Sequence, residues 1–146
     1  MLVALLPLAL VVAAIAVLVR SVRHAGPLCR VDVEDGEVVV HVVVSWAIAL
    51  RRRLSAPLSS VVAATVVPAD TPVPLVLRLA GTAWPGFAAG WFWTRGIGLC
   101  FVCRRRRHAA LEVVLAGGRV KRWIVEVADP AAAANALTSF LAPYQA

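Results

Sequence analysis

The chain opens on nineteen residues with no charged side chain, MLVALLPLALVVAAIAVLV, closed by Arg20. A helix rises about 1.5 Å per residue, so a hydrocarbon layer of about 30 Å needs ~20 apolar residues. Leu2 to Val19 meets that length. Pro7 falls in the first two turns, where a lost amide bond is better tolerated than at mid-span. A cleaved signal peptide is the rival reading, and it calls for positive charge before the apolar run and a small-residue cleavage site. Here Arg20, Arg23 and Arg30 all follow the run and no Lys or Arg precedes it. The pattern predicts a membrane anchor over residues 1–20. The positive-inside rule then puts the N-terminus outside and the remaining chain in the cytoplasm. A second apolar stretch, Val38 to Leu50, is interrupted by His41, Ser45 and Trp46 and is too short to cross.

Residues 21–28 read as a basic linker broken by Gly26-Pro27. From residue 29 the periodicity changes to that of strands. Asp35-Gly36 between two Val-rich runs predicts a β-hairpin. Ser45 is placed to cap a short helical turn, Trp46 to Arg51. Residues 56–67 read as a turn and a third strand. The three prolines of residues 68–74 mark a loop, after which Leu75 to Leu79 is extended. Gly81 and Pro85-Gly86 read as turn or loop. Ala89–Thr94, Leu99–Cys103 and Ala109–Leu115 follow as strands, split by RGIG and RRRRH. Gly117-Gly118 turns the chain into Arg119–Val127, where Trp123, Val125 and Val127 share one face. Asp129-Pro130 caps a final helix with an apolar stripe of Leu137, Phe140 and Leu141, stopped by Pro143. The expectation is a mainly β, α+β domain of about seven strands over residues 29–142. The strands are expected to run as antiparallel meanders, with a C-terminal helix plugging the open end of a bent two-sheet sandwich and residues 143–146 as a tail.

Composition narrows the class. Hydrophobic residues make up 61% and mean hydropathy is +0.83, against roughly 45–50% apolar in ordinary soluble domains. This excludes a disordered chain, and the single long run excludes a multi-span transporter. The formal charge is +7 and Lys121 is the only lysine, so the charge is borne by arginine.

Reactive groups do not cluster. No GxSxG, GxGxxG, Walker-type loop or HExxH occurs. The reading is therefore of a non-enzyme, with no metal and no cofactor. His41 lies in a valine run and reads as a structural histidine. Asp32, Glu34, Asp35 and Glu37 read as a solvated turn. Cys100 and Cys103 have CxxC spacing, but a zinc site wants two further ligands, and positions three apart on a strand point to opposite faces. Three cysteines do not suggest a secreted disulfide framework.

The basic clusters are the better lead. Arg51, Arg52 and Arg53, and Arg104, Arg105, Arg106 and Arg107, are dense runs of a side chain whose fork suits phosphate. They form either a site for anionic lipid headgroups or a protein partner, or simply solvated loop charge that sets topology. Trp91 and Trp93 fall on one face and Phe92 on the other, so the tryptophans are a candidate partner patch. Nucleic acid is not expected, because the aromatic residues sit in apolar runs.

Several segments together resemble a family. They are Pro57-Leu58-Ser59-Ser60-Val61, the run Arg78 to Gly86 (RLAGTAWPG), Gly90-Trp91-Phe92 and the strand ending in Asp129-Pro130. After an N-terminal membrane helix and a hairpin, this order is similar to small bacterial membrane-anchored proteins with a pleckstrin-homology-like domain. The resemblance covers roughly residues 29–142. It implies a seven-stranded, two-sheet barrel with a C-terminal helix and a general binding role, and it carries over no catalytic residue. The RRRRH of residues 104–108 departs from what the family would lead one to expect at that turn.

Overall fold

A computed structural model describes residues 2–44, 52–73 and 75–144. The short helix expected at residues 46–51 lies outside the described residues. The protein is mostly β, with an apolar helix at its N-terminus and a second helix near its C-terminus, an α+β arrangement.

Helix α1 spans Leu2–His24, about 34 Å at 1.5 Å per residue. It continues past Arg20 through half of the expected linker. Its side chains from Pro7 to Leu18 are exposed, while Val22 is buried in the domain core. The next residues are held too: Leu28 is fully buried, and its carbonyl accepts from the Val43 amide at 2.8 Å. By length and composition α1 fits a transmembrane or a signal helix.

Three strands form the smaller sheet, in the order β1 (Cys29–Glu34), β2 (Glu37–Val42), β3 (Arg53–Pro57). The hairpin expected at Asp35-Gly36 is present. Both residues have positive φ, 49° and 77°, the backbone that a two-residue turn with the right strand twist requires. Val38, Val40, Val42 and Leu54 point inward from this sheet.

The larger sheet holds β4 (Val61–Val67), β5 (Leu75–Trp84), β6 (Phe87–Thr94), β7 (Gly98–Arg105), β8 (Ala110–Leu115) and β9 (Val120–Val125). Their spatial order is β4-β8-β9-β7-β6-β5. All neighbours are antiparallel except β7 and β9. The last strand inserts between β7 and β8 and does not extend the meander. Trp123, Ile124 and Val125 are all buried, so a central place covers both faces of β9.

Nine strands are present among the described residues, against the seven expected. The 56–67 segment divides into β3 and β4 around a 3-10 turn at Leu58–Ser60. The segment around Gly81 is strand, not loop. Gly81 pairs with Gly90 on β6, with φ of 106° and 148°. A Cβ at Gly81 would stand 2.3 Å from the Ala89 carbonyl oxygen, and one at Gly90 would stand 2.2 Å from that of Ala80. Only glycine allows the two strands to approach so closely. The two sheets remain separate among the described residues and no closed barrel forms.

The main core lies between the sheets, where Val38, Val40 and Leu54 meet Phe101, Leu111, Val113, Trp123 and Val125. Helix α2 (Pro130–Leu141) packs on β4 and β8. Asp129 caps it as expected, its Oδ1 accepting from the Ala132 amide at 3.0 Å. Its buried stripe is Ala134, Leu137 and Leu141. Phe140 points outward, half exposed.

Candidate functional site

The arginine run begins inside a strand. β7 reaches Arg105 because β6 supplies partners to the end: Ala88 pairs with Arg104 and Phe87 with Arg105. The Arg106 amide then donates to the Gly86 carbonyl at 2.8 Å, tying the end of the strand to the β5–β6 turn. Successive strand residues face opposite sides, so Arg104 and Arg105 diverge.

Arg105 follows Phe101 and Cys103 toward the main core and is buried. Its backbone amide donates to Glu126 Oε2 at 2.8 Å, and its Nε donates to Oε1 and Oε2 at 3.0 and 3.1 Å. Nη2 completes the pair with Oε1. The remaining N–H groups turn to the end of α1. Nη1 donates to the carbonyls of Val22, Arg23 and Ala25 at 3.0, 3.2 and 2.9 Å, and Nη2 to that of Gly26 at 3.0 Å. The last carbonyls of a helix lack intrahelical partners and carry the negative end of its dipole, so a buried guanidinium satisfies both. Glu126 neutralises the charge that does this.

Arg104 faces the other side of the sheet and is also buried. It donates to the carbonyls of Thr71, Arg106 and His108 at 3.3, 3.2 and 3.0 Å. Burial pulls its pKa below the usual arginine range, and Glu126 and Asp70 act against that pull. Arg106 and Arg107 are exposed on the turn. The RRRRH segment is therefore half internal scaffold and half surface charge.

Arg107 stands beside the exit of α1. A hollow of about 520 Å³ is lined by Arg23, Trp84, Arg105, Arg107 and His108, among others. The Trp84 and Phe87 rings stack at 4.3 Å across the Pro85-Gly86 turn and form part of its wall. His108 Nδ1 lies 3.7 Å from Glu126 Oε1. Arg23 and Arg107 thus line one hollow where the apolar helix meets the domain, and Arg20 shares a second hollow with Arg23 one turn back along α1.

The other candidate residues lie elsewhere. Arg51 is outside the described residues. Arg52 is exposed, and Arg53 sits on the outer face of β3, 3.3 Å from Glu34. The second arginine cluster is not brought to the first. Trp91 packs edge to face on Phe101 with centroids 5.1 Å apart. Trp93 is 50% exposed opposite Leu77 on the edge strand β5, itself 56% exposed. Trp91 is thus partly buried, and Trp93 is the more exposed of the two.

On the outer face of the smaller sheet, Asp32, Glu34 and His41 bring ligand atoms within 4.8 Å of one another. These are the groups that could hold a cation. Arg30 already bonds Asp32 at 3.0 Å and Arg53 bonds Glu34 at 3.3 Å, so the cluster reads as an alternating charge network across three strands. Cys100 and Cys103 point into different cores, as strand alternation predicts. Cys103 instead lies against Cys29, and this contact together with burial pushes the Cys29 thiol up. Both remain free thiols.

Comparison with family models, curated proteins and solved structures finds no match.

Proposed function

We propose that this chain is a single-pass protein of the bacterial cell membrane, with its N-terminus outside and a non-catalytic, pleckstrin-homology-like binding module in the cytoplasm. In this reading the module contacts anionic lipid headgroups through Arg23 and Arg107. The observation that carries it is the capping of α1 by Arg105. A helix end built into the domain's buried ion pair belongs to the folded protein. Cleavage as a signal peptide would strip acceptors from a buried guanidinium. The same capping holds Arg23 and Arg107 where an apolar helix would leave a bilayer, and each cation near an anionic surface adds about 1 kcal/mol.

The test uses full-length protein in nanodiscs of phosphatidylcholine alone or mixed with phosphatidylglycerol. Amide hydrogen exchange at residues 106–108 is expected to slow in the anionic discs only, and the effect to vanish in high salt. Equal exchange in both discs counts against headgroup contact.

Leu77, Leu79 and Trp93, exposed on or beside the strand that ends the larger sheet among the described residues, favour a second reading, a scaffold that docks a membrane protein. A photo-crosslinker at Trp93 that captures one partner, independent of salt, would support it.

A further inference from the structure

Arg104 differs from its neighbour in one respect. Arg105 has a carboxylate, and Arg104, 4% exposed, has no carboxylate within ion-pairing distance among the described residues. Its terminal nitrogens reach only carbonyl oxygens, and its Nε–H has no acceptor. Glu126 and Asp70 attract Arg104 only from beyond ion-pairing distance, a buried cation without a direct counter-ion is costly, and a buried N–H without an acceptor adds to that cost. Both deficits are met by an anion.

The space for one is present. Arg104 lines a hollow of about 250 Å³ with Thr71, Val73, Trp84, Phe87 and Arg106. Two arginines line it, and most of the remaining wall is aliphatic and aromatic. This hollow and the one beside α1 share the Trp84–Phe87 turn as a common wall. Guanidinium N–H donors, the unpartnered Nε–H of Arg104 among them, with an apolar wall behind them suit an ester of phosphate on a hydrocarbon body.

We infer that this hollow binds the phosphate of an anionic amphiphile, with Arg104 and Arg106 on the phosphate and Val73, Trp84 and Phe87 against its apolar part. The inference rests on the membrane reading only for the supply of such a ligand. The pocket itself stands on the geometry of Arg104. Free phosphate shares the chemistry of the charged end, and the apolar wall separates the two sources.

The experiment titrates full-length protein in neutral detergent with inorganic phosphate, dihexanoyl phosphatidic acid and dihexanoyl phosphatidylcholine, followed by calorimetry and tryptophan fluorescence. Saturable one-to-one binding of phosphatidic acid is expected, about tenfold or more tighter than phosphate, with no binding of phosphatidylcholine. Arg106→Gln, on the surface, is expected to weaken it about tenfold. Val73→Trp, which fills the hollow and leaves every charge in place, is expected to abolish it. Arg104→Gln should do the same where it folds. Phosphate binding as tightly as phosphatidic acid overturns the amphiphile and leaves a phosphate site. Binding that survives both Arg106→Gln and Val73→Trp, or no binding at all, overturns the site. Protection in anionic nanodiscs without binding in detergent would leave the surface contact standing and remove this pocket. The reverse would keep the pocket and remove the surface contact.

Discussion

Arg105 and Glu126 form a buried ion pair that also ends the N-terminal helix: the guanidinium faces the carboxylate on one side and four backbone carbonyls of residues 22–26 on the other. Removing one member of such a pair leaves an uncompensated charge, a loss of about 3–5 kcal/mol, whereas removing both for apolar groups costs far less. Glu126→Leu and Arg105→Met are each expected to be strongly destabilising. The double variant should be more stable than either single one. Denaturant unfolding in detergent measures all three, and additive losses would show that the two groups act independently.

A chain lacking residues 1–24 loses the Val22 and Arg23 carbonyls that Arg105 holds, and the Val22 side chain from the core. The truncated domain is expected to be less stable by about 1–3 kcal/mol, the usual penalty for orphaning a buried donor. Its Arg105→Met derivative should lose less than the same change costs in the full chain. Thermal unfolding of the four proteins reads the difference.

Gly81 and Gly90 face each other with no room for a side chain. Gly90→Ala must move backbone, because the obstructing atoms are a carbonyl oxygen and a Cα. The expected loss exceeds about 3 kcal/mol, or folding fails outright. Gly36→Ala, at a turn with open space and φ of 77°, strains only the local backbone and should cost about 1 kcal/mol. Circular dichroism melts of the two variants rank them.

Cys29 carries a pH signature. The contact with Cys103 and its burial raise its pKa above the ordinary 9.0. The unfolded chain releases this proton near 9.0 while the native chain keeps it, so the unfolded state is favoured as pH rises. The stabilising contribution is fully present below about pH 9 and falls above it by up to about 1.4 kcal/mol per unit. Unfolding of parent and Cys29→Ala between about pH 8 and 10.5 should show the steeper decline in the parent. Parallel declines would contradict the assignment.

Local signals in the sequence carried far. The Asp35-Gly36 hairpin, the Asp129 cap and the apolar N-terminal helix each depend on a few adjacent residues, and each lies where the pattern put it. What depended on partners distant in the chain did not show. Gly81 reads as a breaker until Gly90 is known to face it. The place of β9 is set by burial on both faces, which period-2 alternation understates. Arg104 and Arg105 look like turn charge because nothing near them in sequence reveals Glu126 or the α1 carbonyls. Phe140 fits the helical stripe by spacing, but the sheet meets the side that holds Ala134 and Leu137.

The central claim is that α1 is a permanent part of the folded protein and holds it in the membrane. Intact mass spectrometry of the protein from carbonate-washed membranes tests this directly. The account predicts a membrane-bound chain that still carries residues 2–24. A soluble mature chain starting near or beyond His24 would contradict it.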